Sequence, residues 1–300
     1  MLRTVRRQVV ATLALLVGAL LFATTAQAAP PAHSRSPKKQ VTVVAHRGAS
    51  AYAPENTLPA IEEALRMKAD FVEIDVQMTA DGQLVVMHDT TLARTTNVEE
   101  LFPDRAPWRV ADFTLEEIKQ LDAGSWFDES FAGTEVPTLA EVLEAMRGRA
   151  GLLLEVKSPN LYPGIGEAIL EVLGDRGGWV QAAARAGRLV VQSFDWEFMK
   201  SFNDLAPQIP AGLLGGPPTE EQLVELSEWA DQINPSFRRV DEQFVDLVHR
   251  VGMVTWPYTV NDPEQMRRLI ELGVDGIITN NPDVLRSVLR ESAGPASARR

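Results

Sequence analysis

Residues 71–77, Phe-Val-Glu-Ile-Asp-Val-Gln, show the pattern on which the fold of this 300-residue chain depends. Apolar β-branched residues alternate with polar ones, which is typical of a β-strand, and the stretch 57–68 before it has the apolar spacing of a helix. The same alternation of a strand-like run with a helix-like stretch begins at Val41 and continues almost to the end of the chain. Such alternation predicts a parallel sheet covered by helices.

Eight strand-like runs and eight amphipathic stretches follow one another along the chain. The predicted strands are Val41–Ala45, Phe71–Gln77, Gly151–Val156, Arg188–Ser193, Ala211–Leu214, Ala230–Ile233, Met253–Tyr258 and Gly276–Thr279. The predicted helices cover residues 57–68, 138–147, 164–174, 195–204, 219–228, 240–250, 263–272 and 282–291. Eight units within about 250 residues predict a closed (β/α)8 barrel, the TIM barrel. An open doubly wound sheet is the alternative, because weak strands are easily miscounted.

Residues 90–137 interrupt this rhythm. The segment is far longer than the usual connection of about 2–6 residues, so we interpret it as a small insertion after strand two. A long surface loop around an aromatic cluster is the alternative. In a barrel, either would lie at the carboxyl ends of the strands, where active sites form.

The N-terminus has the features of a secretory signal. Three arginines precede an apolar run over residues 9–23, and Ala26-Gln-Ala28 follows it as a cleavage site. We therefore predict a signal peptide over residues 1–28, a flexible linker over 29–40 and a catalytic barrel over 41–300. The expected location is secreted or periplasmic, at the cell envelope, with no stable membrane insertion after cleavage; an uncleaved anchor is the alternative.

Composition excludes several classes of protein. The absence of cysteine excludes disulfide scaffolds, cysteine-ligated zinc and iron–sulfur clusters. The formal net charge is −12, and it becomes −15 without the three leader arginines Arg3, Arg6 and Arg7. A body of this charge repels nucleic acid and anionic membranes, so neither is an expected partner. An anionic small molecule remains possible, provided that local cations capture it.

Carboxylates lie on one face of two predicted strands. Glu73 and Asp75 are two residues apart and so point to the same side of their strand. Glu155 ends the next strand. Three carboxylates at neighbouring strand ends suit a hard divalent cation such as Mg²⁺ or Ca²⁺ better than zinc. Ordinary surface carboxylates are the alternative.

Cationic and proton-transferring residues follow the same strands. His46 and His88 each come directly after a hydrophobic run, and imidazole can donate or accept a proton near neutral pH. Arg47 and Lys157 could bind the oxygens of a phosphate, although each could also be a simple salt-bridge partner. Trp256 could form a wall for an apolar or alcohol group, or belong to the core.

Taken together, a set of short motifs strongly resembles the glycerophosphodiester phosphodiesterase family and spans residues 45 to about 283. The matching motifs are Ala45-His-Arg-Gly-Ala-Ser50, Pro54-Glu-Asn-Thr57, Glu73-Ile-Asp-Val76, Asp81-Gly82, His88-Asp89, Leu92 with Arg94-Thr-Thr96, Glu155-Val-Lys157, Val191-Gln-Ser-Phe194, Trp256 with Thr259-Val-Asn261, and Asp275-Gly-Ile-Ile-Thr-Asn280. Two details differ from the family pattern: Pro257 and Tyr258 are inserted after Trp256, and Asn280-Asn-Pro282 replaces an Asp-containing motif.

The resemblance implies a (β/α)8 barrel with an insertion after strand two and assigns roles residue by residue. It implies that His46 and His88 are the acid–base pair and that Glu73, Asp75 and Glu155 bind the metal. It implies phosphate contacts for Arg47 and Lys157 and pocket positions for Gln192 and Trp256.

The expected reaction is metal-dependent hydrolysis of a glycerophosphodiester to sn-glycerol 3-phosphate and an alcohol. Two alternatives are a phospholipase D-like or lysophospholipase D-like hydrolase on the same barrel, and a secreted protein that binds phosphodiesters without cleaving them. The second alternative has no need to retain both histidines together with all three carboxylates.

We expect the exported protein to begin near Ala29, because the cleavage site follows the apolar run at the spacing of a secretory signal. Mass spectrometry of protein recovered from the medium or the cell envelope measures the N-terminus. Recovery of chains that still carry Met1 from the membrane fraction contradicts the prediction.

Overall fold

The computed structural model describes residues 40–174 and 178–292. The predicted signal peptide and all of the predicted linker except Gln40 lie outside the described residues. The strands are β1 (Thr42–Ala45), β2 (Phe71–Met78), β3 (Leu84–Val86), β4 (Gly151–Val156), β5 (Leu189–Ser193), β6 (Ala211–Gly215), β7 (Gln232–Pro235) and β8 (Gly276–Thr279). Among the described residues, no helix is both long and apolar enough to cross a bilayer.

Seven of these strands form one parallel sheet in the order β7-β6-β5-β4-β2-β1-β8, and β3 pairs antiparallel with β2. The helices are α1 (Leu58–Arg66), α2 (Val98–Leu101), α3 (Leu115–Ile118), α4 (Leu139–Met146), α5 (Ile165–Gly174), α6 (Gly178–Arg185), α7 (Trp196–Leu205), α8 (Glu220–Leu226), α9 (Glu242–Arg250), α10 (Pro263–Leu272) and α11 (Pro282–Ser292). The predicted (β/α)8 barrel is confirmed, and α6 is a helix that the sequence pattern did not indicate.

The predicted strand Met253–Tyr258 is not a regular strand in the structure. It nevertheless closes the barrel between β7 and β8. Val254 forms a parallel bridge with Gln232 of β7, and on the other side the Ile278 N–H of β8 donates to the Pro257 carbonyl at 3.0 Å. Pro257 has no N–H to donate, so a continuous hydrogen-bonded ladder cannot run through this segment.

Several helices begin at a residue whose side chain caps the first turn. At α4 the Glu141 N–H donates to the Thr138 hydroxyl, and the Thr138 N–H donates back to the Glu141 carboxylate. Thr219 begins α8 with the same reciprocal arrangement, and Asp195 and Asp262 cap α7 and α10. These caps satisfy backbone N–H groups that would otherwise lack partners, and so they fix where each helix leaves its preceding loop.

The insertion after β3 builds a small core of its own. Its helices α2 and α3 pack around fully buried Val98, Phe113 and Ile118, together with Leu92 and Val85 of β3. Further buried and half-buried residues extend this cluster. Because β3 contributes to it, the insertion is tied to the carboxyl end of β2 rather than being a loose surface loop.

An apolar floor fills the barrel interior below the ends of the strands. Its members are Val44, Phe71, Leu153, Val190, Trp256 and Ile278. Two glycines make room for the rings. A Cβ on Gly151 would lie 2.6 Å from the Phe71 ring, and one on Gly276 would lie 2.6 Å from the Trp256 indole.

We expect Gly276→Ala to destabilise the protein by about 1–3 kcal/mol, because the added methyl overpacks the floor against Trp256. The matched control is Gly174→Ala at the end of α5, where a Cβ meets open space and no overpacking results. Urea unfolding measures both variants. An unchanged midpoint for Gly276→Ala contradicts the packing argument.

Candidate active site

Three carboxylates converge at the carboxyl ends of β2 and β4. Glu73 and Asp75 face the barrel interior from β2, and Glu155 faces it from β4, where it lies in register with Asp75. One oxygen from each lies within 4.8 Å of those from the other two, and all three side chains are buried. The predicted carboxylate group is therefore assembled by strand pairing.

Burial and mutual repulsion of the three carboxylates favour a cation at this position. Burial and repulsion from Asp75 raise the pKa values of both Glu73 and Glu155. Burial also opposes ionisation of Asp75, but Arg47 and Lys157 outweigh it and lower the Asp75 pKa. Glu73 Oε1 and Asp75 Oδ1 are buried without a hydrogen-bond partner. Closely spaced carboxylate oxygens with free lone pairs fit a hard divalent cation.

Arg47 and Lys157 border the carboxylates. The Arg47 N–H donates to Glu73 Oε2 at 2.7 Å, and its guanidinium Nε lies 3.4 Å from Asp75 Oδ2. Lys157 Nζ donates to Glu155 Oε1 at 2.5 Å and lies 3.7 Å from Asp75 Oδ1. Both cationic side chains therefore lie directly against the carboxylates, in a position to bind an anionic group.

His46 has the surroundings of a proton acceptor. Its Nδ1 N–H donates to Asn280 Oδ1 at 2.7 Å, which leaves the ring lone pair on Nε2. Burial and the neighbouring Arg47 guanidinium lower the His46 pKa from 6.5 to about 4. The imidazole is therefore neutral at pH 7 in this arrangement and can take up a proton.

His88 has a different partner. Its Nδ1 lies 2.6 Å from Asp89 Oδ1, so a carboxylate rather than an amide orients this ring. Behind the same segment, the amide of Gln77 donates to the Met87 carbonyl at 2.9 Å and to that of Asp89. The Gln77 oxygen accepts a hydrogen bond from the Tyr162 hydroxyl at 2.6 Å. The His88 turn is therefore held on both flanks by one buried amide.

Gln192 and Trp256 are both buried in the barrel. Gln192 is buried on β5, and its Oε1 accepts from Asn234 Nδ2 at 3.0 Å. Trp256 is only 6% exposed and packs edge-on against Phe71 with 4.9 Å between ring centroids. Substrate contacts for both remain predictions. Phe194, which is 53% exposed, is the more accessible aromatic side chain.

Two asparagines that the sequence argument did not single out hold the site together. Asn56 Nδ2 donates to Asp75 Oδ2 at 2.8 Å, and its Oδ1 accepts from the Asp75 N–H at 3.2 Å. Asn280 orients His46. Asn56 has a φ of +61°, a conformation that asparagine tolerates better than most residues. Its place in the Pro54–Thr57 motif is the signal that could have identified it.

Comparison with known proteins gives one consistent family. Residues 46–284 match the model of the glycerophosphoryl diester phosphodiesterase family. The chain is 37% identical over 297 residues to the glycerophosphodiester phosphodiesterase of Bacillus subtilis strain 168, covering 94% of this chain and 98% of the relative. It is 39% identical over 256 residues to that of Caldanaerobacter subterraneus subsp. tengcongensis, covering 83% and 98%.

A solved structure agrees with the sequence relatives. The Oleispira antarctica phosphodiesterase, solved in complex with the product sn-glycerol-3-phosphate, superposes with a TM-score of 0.74 at 30% identity. The match covers 83% of this chain and 96% of that one. The structural similarity therefore extends over most of both chains.

Proposed function

Because this chain belongs to the glycerophosphoryl diester phosphodiesterase family, we propose that it hydrolyses glycerophosphodiesters to sn-glycerol 3-phosphate and an alcohol in a metal-dependent reaction. The observation that carries the proposal is the convergence of a buried carboxylate group, two cations and two oriented histidines at the strand ends. The product bound in the Oleispira antarctica enzyme supports the glycerol phosphate part of the substrate.

Glu73, Asp75 and Glu155 are the residues that would hold the cation, and we propose Ca²⁺ or Mg²⁺. Oxygen ligands alone favour these ions over zinc. When bound, the cation supplies positive charge that stabilises the charge developing on the phosphate. Arg47 and Lys157 then pair with the non-bridging phosphate oxygens and hold the diester in place.

The two histidines divide the proton transfers. Neutral His46 accepts a proton at Nε2 from the attacking oxygen as that oxygen bonds to phosphorus. Attack by water gives sn-glycerol 3-phosphate directly, whereas attack by the glycerol 2-hydroxyl gives a cyclic glycerol phosphate that water opens in a second step. The bond between phosphorus and the alcohol oxygen then breaks. His88, with its Nδ1 N–H held by the Asp89 carboxylate, donates a proton from Nε2 to the departing alcohol.

A lysophospholipase D-like preference is a second candidate. Two apolar side chains are exposed just beyond neighbouring strands: Phe194 after β5 is 53% exposed, and Leu161 after β4 is 49% exposed. Such side chains could contact the apolar part of a lipid substrate. Purified protein comprising residues 29–300 should be given glycerophosphodiesters and lysophospholipids, with products identified by phosphorus NMR. Turnover of neither class would leave the non-catalytic binding protein as the better description.

We expect chelation with EDTA to abolish turnover and Ca²⁺ or Mg²⁺ to restore it. Glu155→Gln should weaken metal binding, because it removes one of three negative ligands. Glu144→Gln on the outer surface of α4 removes the same charge far from the strand ends and is the control. Elemental analysis and the metal-induced rise in Tm measure binding. Full activity in protein shown to be metal-free contradicts the proposal.

We expect His46→Ala and His88→Ala each to lower kcat on a natural diester by about 10²–10⁴-fold, the usual contribution of a positioned acid or base. Metal content should be unchanged, since neither ring is a proposed ligand. A p-nitrophenyl ester has a leaving group that needs little protonation, so it should rescue His88→Ala much more than His46→Ala. Steady-state kinetics with both substrates makes the comparison, and equal rescue of the two variants contradicts the assigned roles.

A further inference from the structure

Arg94, at the start of the insertion, lies between two carboxylates at the barrel mouth. Its Nε and Nη2 donate to Asp89 Oδ2 and Oδ1 at 2.6 and 3.0 Å. Its Nη1 and Nη2 donate to Glu55 Oε2 and Oε1 at 3.0 and 2.7 Å. Each carboxylate also holds one residue of the site: Asp89 bonds the ring of His88, and Glu55 accepts from Arg47 Nη1 at 2.8 Å.

The segment that carries Arg94 is firmly anchored. Leu92 is fully buried, and Thr95 and Thr96 are nearly so. The Thr96 hydroxyl donates to the Leu92 carbonyl at 2.7 Å, and the Leu92 N–H donates to the Trp108 carbonyl at 2.9 Å. The guanidinium therefore projects from a fixed backbone, which is what a group that positions others requires.

Paired geometry distinguishes Arg94 from an ordinary surface arginine. Its side chain is 43% exposed, and a single ion pair at that exposure contributes little. Here one planar guanidinium makes two-point contacts with two carboxylates, which fixes the orientation of both. Its hydrogen bonds are the largest cause that lowers the Asp89 pKa to about 2, so this carboxylate is ionised at neutral pH.

We propose that Arg94 is a positioning residue that holds His88 and Arg47 in their relative places across the barrel mouth. His88 follows β3, whereas Arg47 and Glu55 belong to the loop between β1 and α1. The chain of contacts through Arg94 joins these two separate loops. The inference rests on the proposed hydrolysis, in which His88 protonates the leaving alcohol and Arg47 binds the phosphate.

Arg94 contacts His88 through Asp89 and Arg47 through Glu55, and the two routes predict different kinetic defects. Asp89→Asn removes the carboxylate that contacts His88 directly, so its main effect should be a lower kcat on a natural diester that a p-nitrophenyl leaving group rescues. Glu55→Gln removes the carboxylate that contacts Arg47 directly, so its main effect should be a higher KM, of similar size for both substrates. Arg94→Ala should show both defects, with a loss in kcat/KM of about 10–100-fold, the range typical of residues that orient a functional side chain.

Two further variants make the test specific. Arg94→Lys keeps the charge but cannot make two-point contacts with both carboxylates, so it should recover only part of the loss. Lys119→Ala removes an ion-pairing cation from elsewhere in the insertion, where it bonds Glu135 and Glu141, and should leave both kinetic constants near wild type. Circular dichroism and Tm confirm that each variant is folded.

A readout that needs no turnover separates this inference from the proposed function. In ¹⁵N NMR spectra of the wild-type protein, His88 should carry its proton on Nδ1, with its signals identified by their loss in His88→Gln. Arg94→Ala should shift the ring towards a mixture of tautomers, and Lys119→Ala should not. An unchanged His88 tautomer in Arg94→Ala, or equal kinetic losses on both substrates, overturns the inference. If the wild type cleaves no diester, the proposed function fails and the tautomer alone decides the role of Arg94.

Discussion

The mutual repulsion of three buried carboxylates is the constraint on which the rest of the site depends. Hydrogen bonding between β2 and β4 places Asp75 opposite Glu155, and the period of the strand puts Glu73 on the same interior face. The ladder does not allow these groups to move apart. A buried charge without a partner is costly, so positive charge has to come to them. Arg47 and Lys157 supply part of that charge, and the carboxylate oxygens without hydrogen-bond partners are where the proposed cation would bind.

The loop between β1 and α1 supplies hydrogen bonds and positive charge to these carboxylates. Arg47 reaches the carboxylates from a left-handed backbone with a φ of +54°, and Asn56 does the same at +61°. Residues other than glycine pay for such conformations, which persist only where surrounding contacts over-determine them. Here the contacts are visible: Arg47 N–H bonds Glu73, and the amide of Asn56 bonds Asp75 twice. These hydrogen bonds to the carboxylates therefore offset the energetic cost of the left-handed conformations at Arg47 and Asn56.

The sequence predicted what strand periodicity and strand ends determine, and it missed what depends on long-range contacts. Glu73, Asp75 and Glu155 could be placed together because a parallel barrel brings its carboxyl ends to one mouth. No local pattern shows that Asn280, more than 200 residues away, accepts from His46. The same holds for the bonds from Arg94 to Glu55. Met253–Tyr258 has a strand-like composition, but Pro257 removes the N–H that a ladder needs, so composition alone predicted too regular an element.

The two histidines show how one side chain acquires two roles from its neighbours. Each ring donates a hydrogen bond from Nδ1 to an oxygen, which leaves Nε2 as the atom for proton transfer in both. The partner of His46 is a neutral amide, and burial together with the nearby positive charge of Arg47 disfavours protonation of that ring. The partner of His88 is the Asp89 carboxylate, which accepts the Nδ1 hydrogen bond and orients the ring. The neighbours of His46 keep its ring neutral, as a proton acceptor must be, whereas the carboxylate beside His88 fixes the tautomer and orientation of the proposed proton donor.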